Sequence, residues 1–292
     1  MCGKLAIVRS ILAAERNSRL YFDKHKGNFN IVLHKLGKTW YPAFFRLLTR
    51  NHTKDGLADR FRSVLLCVFN YDRCIEHFLY HALQVYYGMS SEAAAGLMKQ
   101  LPIYHPYGSV GSLPWQGGDD VMAFGDEPSP HQLLQLADGI KTFTEGVKPG
   151  SGGIWESKRD IARAVQFSWR KSALCRPGDR RSQGELNSPG DIAAARKLVF
   201  LGFGFHELNM ELLSLTDGDL EVFKKDLEKG YIDKNLFPSC FATAHGHSES
   251  NVANIKGRIR RLFGNQSATV DQEVKDSSCR DFFQEFSMSL SF

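Results

Sequence analysis

The sequence predicts an α/β protein with a largely parallel sheet flanked by helices. Three stretches carry this expectation. Val64-Leu65-Leu66-Cys67-Val68-Phe69 is an unbroken apolar run that ends in Asn70-Tyr71-Asp72. Leu198-Val199-Phe200-Leu201-Gly202-Phe203-Gly204-Phe205 is a second apolar run, closing on a Gly-x-Gly turn. Phe241-Ala242-Thr243 is a shorter third one, leading into Ala244-His245-Gly246-His247. Apolar runs bounded by polar turns read as strands buried on both faces. Each is followed by a helical pattern, and the recurrence of strand, polar turn and helix is the signature of a parallel sheet.

Taken in order, residues 4 to about 20 read as a helix. Leu5, Val8, Ile11, Leu12 and Glu15 fall at helical spacing, and Ala13 and Ala14 add propensity. Gly27 to Gly37 reads as a break containing the apolar piece Ile31-Val32-Leu33. Trp40 to Leu48 is an aromatic-rich helix with Pro42 in its first turn. Lys54-Asp55-Gly56 is a turn leading to the 64–69 strand. Beyond that strand, Ile75, Phe78, Leu79, Ala82, Leu83 and Tyr86 recur at helical spacing. Asn70 and Asp72 therefore lie where strand passes to helix, the usual place for ligands in open α/β sheets. The plainer reading of the same residues is a helix cap at Asp72 and a turn at Asn70, and on this segment alone it is the stronger one.

Ser90 to Gln100 is a short helix. Leu101 to Trp115 is a loop punctuated by Pro102, Pro106 and Pro114, carrying Tyr104, His105 and Tyr107. Residues 117–130 are polar linker, and Leu133, Leu134, Ala137 and Ile140 mark another helix. Residues 149–153 form a Gly-rich connection, 161–169 a helix, and 176–190 an exposed loop rich in charge, Gly and Pro. Helices are expected from about Glu207 to Leu215 and from Val252 to Phe263.

The 292 residues, 42% hydrophobic and 24% charged, suit a globular protein with a sizeable core. The net charge of +5 is scattered. The densest basic cluster, Lys256, Arg258, Arg260 and Arg261, reads as a solvated helix face, so no specific nucleic-acid partner is expected. No apolar run approaches the ~20 residues that cross a bilayer, and Arg9, Glu15 and Arg16 interrupt any leader-like segment. The six cysteines contain no Cys-x-x-Cys pair. That usage points to a reducing cytoplasmic setting and to no zinc site. His245 and His247 lack an acidic or Cys partner at ligand spacing, so no metal is expected there.

Several segments together resemble the SIR2-like family, the sirtuin-type NAD-binding domains of bacterial defence proteins. Phe69-Asn70-Tyr71-Asp72-Arg73 is similar to that family's Thr-x-Asn-x-Asp turn, with Val68 in place of threonine. Tyr104-His105-Pro106-Tyr107-Gly108 resembles the segment that carries its active-site histidine. Leu201-Gly202-Phe203-Gly204-Phe205 resembles the later glycine turn that meets the dinucleotide. Ala242-Thr243-Ala244-His245-Gly246 with Ser248 is similar to its C-terminal strand and loop. The resemblance spans about residues 55–265 and implies a single Rossmann-like domain over 1–292 with helical insertions. It implies NAD as substrate. Asn70, His105 and Asp72 would be its catalytic residues, and Phe69, Tyr71, Tyr107, Gly108, Gly202, Phe203, Gly204, His245 and Gly246 would bind the dinucleotide. The zinc ribbon of the deacylating members is absent, which favours NAD hydrolysis over deacylation.

The family's first strand and its Gly-Ala-Gly-Ala-Ser phosphate loop have no counterpart, since Met1-Cys2-Gly3-Lys4-Leu5 leads directly into a helix. That loop supplies the N–H groups that cradle a pyrophosphate. The chain as given is therefore expected to be an N-terminally incomplete domain that binds NAD weakly. A non-catalytic module that acts with a partner chain, or as a homo-oligomer, stays open beside the enzyme reading.

The chemistry suits these residue types. When the nicotinamide–ribose bond breaks, the leaving group departs neutral, so little acid assistance is required. What is required is a positioned nucleophile in a site shielded from bulk water. An amide such as Asn70 can orient a water or a ribose hydroxyl, and a histidine such as His105 can act as a base near neutral pH.

Overall fold

The computed structural model describes residues 2–23, 29–142, 197–214, 238–262 and 270–290. The readings over 149–153, 161–169 and 176–190 lie outside these residues. The chain divides into two compact units, 1–155 and 156–290. Both are mixed α/β, and their paired strands run parallel.

The first unit opens with α1 (Cys2–Asn17), α2 (Phe29–Lys35), α3 (Tyr41–Thr49) and α4 (Leu57–Arg62). Strand β1 (Leu66–Cys67) follows, then α5 (Cys74–Tyr87), α6 (Ser91–Met98), β2 (Ile103–Tyr104) and α7 (Pro130–Gly139). Three elements depart from the sequence reading. The stretch read as a break forms α2. A short helix, α4, stands between the Lys54–Gly56 turn and the strand. The expected strand over 64–69 contracts to β1, which is half-buried rather than fully buried.

The contraction follows from its partner. β1 pairs in parallel with β2, Leu66 opposite Ile103 and Cys67 opposite Tyr104. The Leu66 and Val68 N–H groups donate to the Pro102 and Tyr104 carbonyls. Pro102 and Pro106 bracket β2 and have no N–H, so the ladder cannot lengthen in either direction. The segment read wholly as a loop thus contributes a strand of minimal length.

Helix α5 is where the sequence reading holds best. Phe78, Leu79, Ala82 and Leu83 are fully buried, and Gly88 ends the helix in the left-handed conformation, φ 58°. This face packs into a core with Leu48, Leu57, Phe61 and Met98 from α3, α4 and α6. Burying each such side chain is worth about 1.5–3 kcal/mol. A second core forms where Val8 and Leu12 of α1 meet Leu136, Ala137 and Ile140 of α7 and its end.

The loop after β2 turns at Gly108, φ 80°. A Cβ placed there would stand 2.0 Å from the Gly139 carbonyl oxygen at the end of α7. Gly108 is therefore required by close packing of backbone on backbone. Gly108→Ala is expected to destabilise the first unit by at least about 2 kcal/mol, from the left-handed φ together with the overpacking. Chemical denaturation of the two proteins side by side measures it.

The second unit contains β3 (Lys197–Phe200), α8 (Glu207–Leu213), β4 (Ser239–Thr243), α9 (Glu249–Arg261), β5 (Gln272–Lys275) and α10 (Cys279–Glu285). Its strands form a parallel sheet in the order β3-β4-β5. The expected strand over 198–205 ends at Phe200, because Gly202 takes a left-handed φ of 56° and turns the chain out of the ladder. β5 and α10 had no counterpart in the sequence reading. Gln-Glu-Val-Lys offers a single apolar residue, Val274, so neither periodicity nor an apolar run marks β5. Among the described residues, no helix is long and apolar enough to cross a membrane.

Candidate functional site

The parallel pair in the first unit sets two sequence-distant segments side by side at their carboxyl ends. Asn70 follows β1 and His105 follows β2. They meet: His105 Nδ1 lies 3.0 Å from the Asn70 carbonyl oxygen. A carbonyl can only accept, so Nδ1 carries a proton. On the other side of the ring, Nε2 lies 2.6 Å from Glu76 Oε1, on the first turn of α5. Glu76 is a residue the sequence reading did not single out, and its side chain is 4% exposed.

Both ring nitrogens of His105 are thus engaged by oxygen acceptors. Burial alone would pull the ring's pKa down. The hydrogen bond to Glu76 and the charge of Glu76, the Asn70 carbonyl and the charge of Asp72 outweigh burial and hold the pKa above the ordinary 6.5. With Nε2 held against Glu76 and Nδ1 against the Asn70 carbonyl, the direct base role expected of His105 would require Nε2 to part from Glu76.

The helix cap read at Asp72 falls one residue later, since Arg73 is the N-cap residue of α5 and no side chain caps it, while Asp72 makes a turn bond just before it. Asp72 Oδ1 accepts the Cys74 N–H at 3.1 Å and shapes the entry to α5. Its neighbour Arg73 is buried and held from every side. Arg73 Nη2 meets Glu15 Oε2 of α1 at 2.6 Å, and Nε meets Oε1 at 3.1 Å. Nη1 donates to the Met122 carbonyl at 2.6 Å, and the Gly125 N–H returns to Glu15 at 3.1 Å. The 70–73 turn is therefore pinned to α1 and to the 122–125 loop.

The aromatic residues predicted to flank the site pack against one another. Phe69 and Tyr107 stand edge to face, ring centroids 6.2 Å apart, and Tyr71 donates its hydroxyl to the Lys141 carbonyl. Trp115, half-buried against the core, stacks on Tyr80 with 5.1 Å between rings. Asn70 is the exposed member of the group, and its side chain is not the atom that holds His105.

In the second unit the predicted residues also gather at strand carboxyl ends. Gly202 and Gly204 follow β3, while His245 and Gly246 follow β4, and all four are exposed. Gly202 and Gly246 have left-handed backbones, but their N–H groups are already used. Gly202 donates to Thr243 Oγ1 at 2.9 Å, and Gly246 donates to Asp276 Oδ1 at 2.8 Å. His245 Nδ1 lies 3.4 Å from the same carboxylate, an exposed pair of small energetic weight. At Gly204 an added Cβ would meet nothing within 4 Å, so there the backbone is open to approach. Phe203 lies in a cluster with Phe200 and Phe205. No group of three or more metal-ligating side chains occurs among the described residues.

Comparison with protein-family models, with curated proteins and with solved structures returns no match to this chain.

Sequence reasoning missed Glu76, Glu15 and Arg73. A signal was available for two of them. Glu15 and Glu76 each sit on the apolar stripe of a helix, at i+7 from Val8 and i−3 from Leu79. A carboxylate on a buried stripe calls for a buried cationic partner.

Proposed function

We propose that the chain is a SIR2-like NAD hydrolase on a Rossmann-like frame, cleaving the nicotinamide–ribose bond. One observation carries this reading: Asn70 and His105, which follow separate strands, are joined at the carboxyl edge of a parallel pair. That edge is where open α/β sheets take their ligands.

In the reaction, the bond between ribose C1′ and the pyridinium nitrogen breaks, and its electron pair stays on nitrogen. A water oxygen forms the new bond to C1′, and the water's surplus proton passes to solvent. The products are nicotinamide and ADP-ribose. Asn70 is assigned to orient the water or the ribose hydroxyls through its exposed amide. His105 is assigned to hold the end of the Asn70 strand.

The test is chromatography of purified protein incubated with NAD. The wild type should release nicotinamide, and His105→Ala should do so about 10²-fold more slowly, the cost of misplacing a positioned group such as Asn70 by about an ångström. Equal rates would remove His105 from the site.

A second reading has its own support. With His105 clamped on both nitrogens and the Gly202 and Gly246 N–H groups taken internally, the same turns also suit a non-catalytic module that works with a partner chain. A wild type that releases no nicotinamide would favour it.

A further inference from the structure

The Glu76 carboxylate has a task that its position dictates. Oε1 accepts from His105 Nε2 at 2.6 Å, while Oε2 is buried with no hydrogen-bond partner among the described residues. A buried carboxylate whose second oxygen is unsatisfied is expensive unless a full positive charge faces it. His105 is placed to supply that charge. We propose that Glu76 is a positioning residue, clamping His105 as an imidazolium whose Nδ1–H fixes the Asn70 carbonyl and so presents the Asn70 amide at the strand edge. The chain Glu76–His105–Asn70 runs from the buried first turn of α5 to the exposed turn that follows β1. In it His105 acts through Asn70 rather than by touching the ligand.

The assignment of Asn70 as the ligand-facing group rests on the proposed hydrolase reading; the clamp itself does not. The titratable groups facing the His105 ring are Glu76 and Asp72. Tyr41 of α3 and Cys74 of α5 face those two carboxylates in turn. None of the four supplies a positive charge, so the ring's own proton is what balances Glu76.

Nitrogen-15 NMR of the full chain tests this without any ligand. In the wild type, both His105 ring nitrogens should remain protonated at pH 7. In Glu76→Gln, the ring pKa should fall by about one pH unit or more, because burial then acts against a much weaker partner. A wild-type ring with a deprotonated nitrogen at pH 7 would overturn the clamp, and that measurement needs no variant to fold. So would a ring pKa unmoved by Glu76→Gln. Nicotinamide release is read in parallel. If the wild type shows the doubly protonated ring but no release, the hydrolase reading fails while the clamp stands. If the wild type releases nicotinamide, Glu76→Gln should lower kcat at least about tenfold with KM little changed. An unchanged kcat would show that positioning by Glu76 is not used in the reaction.

Discussion

Arg73→Ala lowers the unfolding free energy of the first unit by about 3–5 kcal/mol, the usual cost of stripping one partner from a buried ion pair. The side chains of Arg73 and Glu15 are 2% and 0% exposed. Removing the guanidinium leaves Glu15 in a site with no solvent, holding only the Arg73 and Gly125 backbone N–H groups. It also takes the Arg73 donor from the Met122 carbonyl and from the Ala123 carbonyl, which keeps the Asp126 N–H. Part of the loss is the lone buried charge, so replacing both partners together should recover that part. The double variant Glu15→Leu with Arg73→Met is expected to unfold between Arg73→Ala and the wild type, since it removes the charge but leaves the Arg73 and Gly125 N–H groups and the Met122 carbonyl without these partners. Near-UV circular dichroism in denaturant reads both variants. An Arg73→Ala protein within about 1 kcal/mol of wild type would mean that the pair is far better solvated than its geometry says.

On the proposed hydrolase reading, Asn70→Ala is expected to reduce nicotinamide release by about 10²-fold or more while leaving stability nearly unchanged. The size is that of losing one preorganised polar group beside the reacting atoms. The neutrality toward folding follows from which atom does the structural work. His105 is held by the Asn70 backbone carbonyl, and alanine keeps that carbonyl. The amide is exposed and contributes no packing that the fold needs. A purely structural role therefore predicts no change in rate, and a ligand-facing role predicts a large one. The two outcomes do not overlap.

Much of the frame was legible because it rests on apolar periodicity. α5 shows its buried face plainly in Phe78, Leu79, Ala82 and Leu83, and the β3 and β4 strands are continuous apolar runs. The carboxyl ends of those strands and of β1, and with them Asn70, Gly202 and Gly246, could be placed by the same reasoning, whereas β2, which His105 follows, reads as a loop in sequence. What was illegible depended on pairing across the fold. The length of β1 is set by two prolines that flank a segment thirty-odd residues away. β5 is recruited to a sheet edge by β4, not by its own composition. Gly108 looks like a ligand turn in sequence, yet its lack of a side chain is required by Gly139 in another helix. The protonation of His105 is decided by Glu76 and the Asn70 carbonyl, neither of which its own segment contains.

The most direct measurement of the hydrolase account is product analysis of the wild-type chain with NAD in heavy-oxygen water. The account predicts nicotinamide and ADP-ribose in equal amounts, with the heavy atom at ribose C1′. Intact NAD after prolonged incubation with folded protein, or release that proceeds unchanged in Asn70→Ala, would contradict it.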